Sequence, residues 1–558
     1  MQIIIPMSGF GERFRRAGYE VPKPLIEIEG KPIIAHVIDM FPGESDFIFI
    51  CNQEHLDNPI YRMSEILTEY CPSGRIFGIP PHKLGPVFAV QQIEASLDES
   101  KPVIVNYCDF TCYWDWEHFK KFVIKFDCAG AIPAYKGFHP HSLGNTNYAY
   151  VKESDGWIQD IQEKQPYTEN RMEEYASSGT YYFSSARIMM DSFAAIVDQG
   201  MDLNGEYYVS LAYKYLLLTE MPVAVYPLQH FMQWGTPGDV AEYNSWSKAF
   251  KKLAQPLLVK PTRKGSFVVP MAGLGQRFVD EGYEHTKPLI PVSGRSMVLQ
   301  AANDLPNSAY QAFVLRSDMK GHEEVSEELR KYYPDCTIKT IDAVTEGQAI
   351  TAAIGLDALN DQDKDLGPVT FAACDNGALY KMENFNSLID DPQVDVLVWC
   401  VRGYENAVRK PEMFGWIDAG LDGLIRKVSV KAPLANPEID PIVIGTFTFK
   451  RSKYFSDSLE RLVSRHGVIN GEFYIDSMIN DAIDLGLRCK IFEVDTYLCW
   501  GTPNDLKTFE YWQSCFHLWS GHTYNLHLDE RIPSNKTEEL SAIYLSGNPL
   551  DKFTIGKR

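Results

Sequence analysis

Long apolar runs, a leader-like opening and paired cysteines are all missing from this sequence of 558 residues. No apolar run approaches the about 20 residues that span a bilayer, so we expect no membrane span. The opening has no basic segment followed by an apolar one, so we predict no signal peptide. The eleven cysteines include no Cys-x-x-Cys pair, and Cys108 and Cys112 have no matching pair at zinc spacing. Reduced thiols in the cytoplasm are therefore expected.

Positive charge is also scarce. The 53 Lys and Arg residues stand against 74 Asp and Glu residues, which gives a formal net charge of −21. A general nucleic-acid binder would carry a basic face, so we predict no nucleic-acid partner. A nucleotide ligand stays compatible with this charge, because a small site needs only a few local cations.

A strand-like run followed by a Gly-x-Gly-x-Arg turn occurs twice. The first occurrence covers residues 3–14 and leads to Lys-Pro-Leu at 23–25, and the second covers residues 267–278 and leads to Lys-Pro-Leu at 287–289. Four further landmarks recur in the same order: 103–109 with 369–375, 178–183 with 444–449, 204–208 with 470–474, and 234–237 with 500–503. We interpret this pattern as a tandem duplication of a whole domain.

The duplication predicts the domain organisation. We define repeat 1 as residues 1–252 and repeat 2 as residues 265–519, with a linker at 253–264 and a C-terminal extension at 520–558. In each repeat short β-branched runs alternate with helix-like stretches, which predicts an α/β fold with a mostly parallel central sheet. In repeat 1 strands are predicted at 3–6, 47–51, 103–106, 129–134 and 223–226, and helices at 33–41, 59–70 and 87–97.

The repeated turn suits a phosphate. A buried strand brings the chain to the sheet edge where open α/β sheets bind ligands. Gly9 and Gly11 let the backbone approach a phosphate and adopt a positive φ, so that successive N–H groups cradle the anion. Arg13 adds a guanidinium fork and Lys23 a point charge. The counterparts in repeat 2 are Gly273, Gly275, Arg277 and Lys287.

Two familiar phosphate loops are excluded. Phe14 and Phe278 replace the third glycine of the dinucleotide-binding fingerprint, and no Gly-Lys-Ser/Thr of a P-loop follows. A tight strand-to-helix turn without any ligand is the alternative interpretation. The downstream lysine and the second occurrence favour a phosphate-handling loop.

The combination Pro-Met-Ser/Ala-Gly-x-Gly-x-Arg-Phe with Lys-Pro-Leu resembles the signature of the sugar-phosphate nucleotidyltransferases, the family of nucleotide-sugar pyrophosphorylases. The resemblance covers both repeats and implies two tandem Rossmann-like nucleotidyltransferase domains. It implies the reaction NTP + R-phosphate → NDP-R + pyrophosphate with Mg²⁺. The partners implied are an NTP and a phosphorylated small molecule.

Within this resemblance Asp109 and Asp375 are the metal ligands. Each ends a buried strand, where a carboxylate can hold Mg²⁺; a turn or cap Asp is the alternative. Many relatives place a second metal-binding Asp where this chain has Gln233 and Cys499. Asp239 and Asp505 follow Thr-Pro and are predicted to cap helices instead.

The substrate end differs between the repeats. Glu163 and Lys164 resemble the family's Glu-Lys-Pro segment, in which the lysine contacts the substrate phosphate and the glutamate the sugar hydroxyls. Repeat 2 has Val430 and Lys431 there, which indicates a different substrate or a lost activity. Gly85 and Gly347 are assigned to the nucleobase, with helix packing as the alternative. Gly179, Glu206 and Glu472 are assigned to the substrate, with first-turn capping as the alternative for the two glutamates.

The leading hypothesis is a nucleotidyltransferase, bifunctional if both repeats work, that makes precursors of surface polysaccharides. The alternative is a nucleotide-binding regulatory protein with one or both sites inactive. A glycosyltransferase is disfavoured because neither Asp109 nor Asp375 belongs to an Asp-x-Asp motif. The oligomeric state stays open, with a homodimer among the options.

Overall fold

The computed structural model describes residues 1–144, 147–256, 263–360 and 366–556. They form two compact units. The first comprises Met1–Lys248, Gln513–Thr523 and Ser541–Arg558, and the second comprises Ala249–Trp512 and Tyr524–Leu540. Half of the predicted linker, residues 257–262, lies outside the described residues. In the described part of the chain, no helix is both long and apolar enough to cross a membrane.

The first unit is built on a large mixed sheet. The strands of this unit, in chain order, are β1 (Gln2–Met7), β2 (Glu27–Ile28), β3 (Lys31–Pro32), β4 (Asp46–Asn52), β5 (Arg75–Ile79), β6 (Val103–Asn106), β7 (Phe110–Tyr113), β8 (Gly130–Tyr135), β9 (Ala149–Ser154), β10 (Trp157–Glu163), β11 (Tyr175–Ser177), β12 (Thr180–Phe183), β13 (Val223–Pro227) and β14 (His230–Gln233). Strands β2 and β3 form a separate pair, as do β7 and β14. The sheet order is β11-β9-β10-β13-β8-β12-β6-β1-β4-β5. Strands β5, β4, β1 and β6 are parallel, and β12 runs antiparallel to β6 and β8. The parallel half therefore gathers several strand ends at one edge.

The second unit has a sheet of the same kind. Its strands are β15 (Arg263–Pro270), β16 (Pro291–Val292), β17 (Arg295–Ser296), β18 (Ser308–Arg316), β19 (Thr337–Ile341), β20 (Val369–Ala372), β21 (Asn376–Leu379), β22 (Val396–Val401), β23 (Gly415–Ala419), β24 (Ile425–Val430), β25 (Ile442–Phe449), β26 (Cys489–Glu493) and β27 (Thr496–Cys499). The order β19-β18-β15-β20-β25-β22-β26 matches β5-β4-β1-β6-β12-β8-β13 of the first unit position by position. This shared order supports the interpretation as a duplication.

Helices fill the connections. In chain order they are α1 (Glu12–Arg16), α2 (Ile33–Asp39), α3 (Gln53–Asp57), α4 (Met63–Tyr70), α5 (Gly85–Gln91), α6 (Trp116–Lys125), α7 (Ala186–Asp198), α8 (Val209–Leu218), α9 (Pro237–Leu253), α10 (Gln276–Asp280), α11 (Met297–Asp304), α12 (His322–Tyr332), α13 (Gln348–Asn360), α14 (Met382–Asp390), α15 (Glu405–Arg409), α16 (Ser452–Ser464), α17 (Ile475–Asp484), α18 (Pro503–Leu518) and α19 (Thr537–Ser546). The residues predicted as a C-terminal extension contain α19 and are divided between the two units.

The predicted elements of repeat 1 are largely confirmed. The five predicted strands appear as β1, β4, β6, β8 and β13. All residues of β1 and β6 are buried, as expected for parallel strands covered on both faces. The helix predicted at 59–70 begins only at Met63, because Arg62 before it has a left-handed φ of 47°. The helix predicted at 87–97 is α5, which ends at Gln91 and is followed by a separate 3₁₀ turn.

Candidate active site

The repeated turn lies where β1 ends, at the carboxyl edge of the parallel strands. It closes at Gly11, which has a φ of 62° and precedes α1, and Gly275 has a φ of 64° before α10. Residues other than glycine adopt this conformation only at a cost. The positive φ predicted for Gly9 is wrong, since neither Gly9 nor Gly273 is left-handed. No atom lies within 4 Å of a Cβ added to either, so both face open space.

Two neighbouring clefts open beside the turn of the first unit. The larger, of about 450 Å³, is lined by Gly9, Gly11, Lys23, Gly85, Asp109 and Glu206 among others. The smaller, of about 290 Å³, is lined by Arg13, Lys23, Asp109, Glu163, Lys164 and Gly179 among others. All ten residues predicted for the site of repeat 1 thus line one cleft or the other. We call the two clefts together the first site, and the corresponding residues of the second unit the second site.

Lys23 and Asp109 line both clefts and contact each other. Lys23 Nζ donates to Asp109 Oδ2 at 2.6 Å, and Lys287 Nζ donates to Asp375 Oδ2 at 2.5 Å. Burial is the largest single effect and lowers the pKa of Lys23, but Asp109, with Cys108 and Asp239, opposes it and the net result is a raised pKa. The pKa of Lys287 is raised in the same way by Asp375. Sequence reasoning assigned the lysine to a phosphate and the aspartate to a metal, and did not predict that they pair.

Arg13 and Arg277 are exposed on the first turns of α1 and α10. Within the described residues neither guanidinium makes a hydrogen bond or an ion pair. Arg13 borders the smaller cleft beside Lys23. Both side chains are therefore available for an anionic ligand.

A chain of hydrogen bonds holds the lysine at the substrate end. Lys164 Nζ donates to the Tyr208 hydroxyl at 2.7 Å, and this hydroxyl donates to Glu206 Oε2 at 2.5 Å. In the second unit Lys431 Nζ donates to the Tyr474 hydroxyl at 3.2 Å. Both lysines have the same left-handed φ of 57°. Sequence reasoning missed the two tyrosines, although their recurrence in the landmarks 204–208 and 470–474 was a signal.

The predicted glutamates occupy different places. Glu163 ends β10, and its Oε2 accepts a hydrogen bond from Ser210 Oγ of α8 at 2.6 Å. Burial raises the pKa of Glu163, although Ser210 and Lys164 oppose this shift. Glu472 raises the pKa of the Tyr474 hydroxyl, which burial raises more strongly. In the first unit burial, Glu206 and Glu163 all raise the pKa of Tyr208, which holds Lys164. In the second unit Glu472 acts in the same way on Tyr474, which holds Lys431.

Backbone contacts explain the glycines assigned to the nucleobase. A Cβ on Gly85 would lie 2.7 Å from the Tyr207 carbonyl oxygen, and one on Gly347 would lie 2.6 Å from that of Phe473. Their φ angles are 87° and 130°. The packing alternative therefore accounts for both positions, while Gly85 also lines the larger cleft. Gly179, with a φ of 96°, packs against the Tyr107 ring in the same manner.

Asp239 is a second carboxylate beside Asp109. The predicted cap is confirmed, since Thr236 N donates to Asp239 Oδ2 at 2.7 Å and Asp239 N to Thr236 Oγ1 at 3.2 Å. Gln233 Nε2 also donates to Asp239 Oδ1. A Cβ placed on Gly235 would lie 3.2 Å from Asp109 Oδ2 and 3.6 Å from Asp239 Oδ2. Two hard oxygen donors thus face one gap, a donor set that fits Mg²⁺.

The electrostatics of Asp239 follow from this position. Burial raises its pKa to about 6, Thr236 opposes the shift, and Glu242 and Asp109 add to it. In the second site Asp505 accepts from Thr502 N at 3.1 Å and from Asn406 Nδ2 at 2.9 Å. Among the described residues, no group of three or more His, Cys, Asp or Glu side chains is arranged to hold a metal.

Comparison with known proteins places the first repeat. Residues 2–212 match the family model described as nucleotidyl transferase. Bifunctional protein GlmU of Methanocaldococcus jannaschii is 26% identical over 247 residues, which are 44% of this chain and 54% of that protein. Glucose-1-phosphate cytidylyltransferase of Salmonella typhimurium is 34% identical over 74 residues, which are 12% of this chain and 29% of that protein.

The chain thus spans about half the length of the GlmU protein that it matches. A nucleoside-diphosphate-sugar pyrophosphorylase structure from Vibrio cholerae aligns with a TM-score of 0.37 and 20% identity, covering 44% of this chain and 98% of that one. The family match covers the turn, the residues that line the larger cleft and part of the smaller cleft, whose other lining residues, from Phe231 to Asp239, lie beyond it. It agrees with the resemblance drawn from the motifs: residues 2–212 of this chain are similar to the nucleotidyl transferase family.

Proposed function

We propose that this chain transfers a nucleoside monophosphate from an NTP to a sugar phosphate or a similar phosphate ester and releases pyrophosphate. The observation that carries the proposal is the Lys23–Asp109 pair, which borders both clefts of the first site. The larger cleft carries the glycine turn, and the smaller one carries Lys164 and Glu163. Two phosphorylated ligands bound there would meet at the pair.

The residues support an in-line displacement. An oxygen of the ester phosphate forms a bond to the α-phosphorus, and the bond from this phosphorus to the bridging oxygen breaks, so that the electron pair leaves with pyrophosphate. The N–H groups of the turn and Arg13 would neutralise the leaving group. Lys164, held by Tyr208, would bind the ester phosphate. Most of the acceleration would come from positioning and charge.

Mg²⁺ is the proposed cofactor. Asp109 would hold it, with Asp239 as the neighbouring carboxylate at the gap beside Gly235. When bound, the ion would supply positive charge to the phosphate oxygens. Lys23 would orient the Asp109 carboxylate through their hydrogen bond.

The second site is proposed to act on a different ester. It repeats Gly273, Gly275, Arg277 and the Lys287–Asp375 pair, but has Val430 in place of Glu163. The products would be nucleotide-activated precursors of surface polysaccharides. The similarity to glucose-1-phosphate cytidylyltransferase supports a sugar phosphate as one of the esters.

Pyrophosphate release tests the proposal. The full chain is assayed with five NTPs against a panel of sugar phosphates, polyol phosphates and phosphocholine. We expect Asp109→Asn to remove one activity, Asp375→Asn the other, and the double variant both. The matched control Asp191→Asn changes an exposed carboxylate on α7 and should change neither. Tight nucleotide binding without pyrophosphate release for any ester would instead indicate a regulatory nucleotide-binding protein.

A further inference from the structure

The carboxylate near the lysine that follows β10 or β24 comes from a different element in each unit. In the first unit Glu163 of β10 contacts Ser210 of α8 and lies opposite Ala149 in the ladder between β9 and β10. The corresponding positions in the second unit hold Val430, Asp476 and Gly415. The acidic side chain is thus absent from the strand and present on the facing helix.

This correspondence follows from two independent landmarks. Gly415 pairs with Val430 across the ladder as Ala149 pairs with Glu163. Asp476 lies two residues after the tyrosine that holds Lys431, as Ser210 lies two residues after the tyrosine that holds Lys164.

The exchange of alanine for glycine makes room for the aspartate. A Cβ on Gly415 would lie 2.5 Å from Asp476 Oδ2, which is closer than atoms can approach. Helix α17 is fixed against β24 because the Asn480 amide both accepts from Val428 N and donates to Val428 O at 2.9 Å. Asn480 lies four residues after Asp476 and therefore on the same helix face. The carboxylate is directed toward the hairpin that carries Lys431.

The Asp476 carboxylate lacks a partner of its own. In the described part of the chain it makes no hydrogen bond or ion pair with another residue. Burial raises its pKa to about 6, while a hydrogen bond from its own backbone N–H and the charge of Lys431 oppose this shift. A half-buried charge whose hydrogen-bond partner within the described residues is only its own backbone N–H is costly. The dipole of α17 stabilises an acidic residue in the first turn, but this does not explain the glycine across from it.

We propose that Asp476 is the substrate-binding carboxylate of the second site, where it accepts a hydroxyl of a phosphate ester whose phosphate is held by Lys431. The inference rests on the proposed function, because it names the acceptor side of one of its two sites. Since the carboxylate comes from the helix instead of the strand, it approaches the ester from another direction. The two sites then select different hydroxyl-bearing phosphate esters.

The test uses the full chain carrying Asp109→Asn, so that only the second site releases pyrophosphate. Adding Asp476→Asn removes the charge and keeps the size of the side chain. We expect the KM for the phosphate ester to rise at least tenfold, with the KM for the NTP within twofold. Asp484→Asn removes a carboxylate from the exposed end of the same helix and should leave both values unchanged.

A three-residue exchange tests the direction of approach. Gly415→Ala, Val430→Glu and Asp476→Ser together install the pattern of the first unit. We expect the ester preference to move toward that of the Asp375→Asn chain, in which only the first site works. Thermal unfolding of each variant verifies that it is folded.

The outcomes separate the two proposals. An unchanged ester KM in folded Asp476→Asn overturns the assignment. It is also overturned if the wild type is active and the Asp109→Asn chain releases no pyrophosphate with any ester. A wild-type chain that is itself inactive with every ester refutes the proposed function, and the assignment with it.

Discussion

Asp239 has two roles, and the second places its negative charge close to another carboxylate. It caps α9 and shares a gap with the Asp109 carboxylate. Its pKa is raised to about 6, chiefly by burial, whereas an aspartate in an unfolded chain titrates near 4. The folded state therefore favours the protonated form. The resulting stabilisation is present below about pH 4 and is lost as the pH rises through about 6.

Replacing Asp239 with asparagine should therefore stabilise the protein at neutral pH. The amide keeps an oxygen for the Thr236 cap but removes the charge. We expect a gain on the order of 1–2 kcal/mol at pH 8 and little at pH 4, together with a loss of first-site activity. Thermal unfolding at both pH values measures the gain, with Asp191→Asn as control. Equal shifts at the two pH values would show that the charge of Asp239 is not responsible.

A substitution at Tyr208 tests how much the hydrogen bond from Lys164 to this tyrosine contributes to substrate binding. Tyr208→Phe removes the hydroxyl between Lys164 and Glu206 but keeps the ring, whose centre lies 4.4 Å from Lys164 Nζ. We expect the KM for the ester at the first site to rise about tenfold, because a lost hydrogen bond to a charged group costs roughly 1.5 kcal/mol. The KM for the NTP should not change. Tyr474→Phe is the matched control and should affect the second site only.

At the scale of elements, the two glycines of the turn between β1 and α1 are expected to serve different purposes, one for stability and one for nucleotide binding. Gly11 has a left-handed φ, so Gly11→Ala should destabilise the first unit by about 1–2 kcal/mol. Gly9 has no such φ and faces open space in the larger cleft. Gly9→Ala should therefore leave the melting temperature unchanged and raise the KM for the NTP. If Gly9→Ala instead destabilises the protein and leaves nucleotide binding intact, the cleft assignment is wrong.

Sequence reasoning was accurate for these elements because its signals are local. Apolar runs located β1, β4 and β6, and the duplication supplied an internal check on the turn. It did not anticipate the Lys23–Asp109 contact, because the two residues are 86 positions apart and only the sheet topology brings them together. Asp239 was assigned correctly as a cap, but its neighbour Asp109 comes from a distant strand end. The same limit hid Asp476, whose proposed role depends on the missing side chain of Gly415.

At the scale of the whole chain, the two units differ less in architecture than in their substrate ends. The seven central strands have the same order, and the Lys–Asp pair recurs with nearly equal distances of 2.6 and 2.5 Å. The residues that differ, Glu163 and Asp476, lie on β10 and α17 next to the lysines. A duplicated chain can in this way keep one nucleotide chemistry and vary the acceptor.

The last segment, Ser541–Arg558, belongs to the first unit although it follows repeat 2 in sequence. Trp157 Nε1 donates to the Gly556 carbonyl at 2.9 Å, and Phe553 packs with Phe122 at 6.3 Å between ring centres. Gly156 has a φ of 82°, and a Cβ there would lie 2.7 Å from Ile555. The hairpin of β9 and β10 that carries Glu163 is therefore supported by a segment from the other end of the chain.

Deletion of residues 547–558 should destabilise the first unit selectively. The half-buried side chains of Leu550, Phe553 and Ile555 are lost, together with the two hydrogen bonds that Gly556 makes with Trp157 and Asp155. Their loss amounts to roughly 2–4 kcal/mol. Calorimetry should show the transition of the first unit lowered by several degrees and that of the second unit unchanged. First-site pyrophosphate release should then fail at temperatures where second-site release continues. The control is the double substitution of the exposed Asp551 and Lys552 by alanine, which should leave both transitions unchanged. If the deletion lowers the unfolding temperatures of both units equally, the segment does not act through the first unit alone.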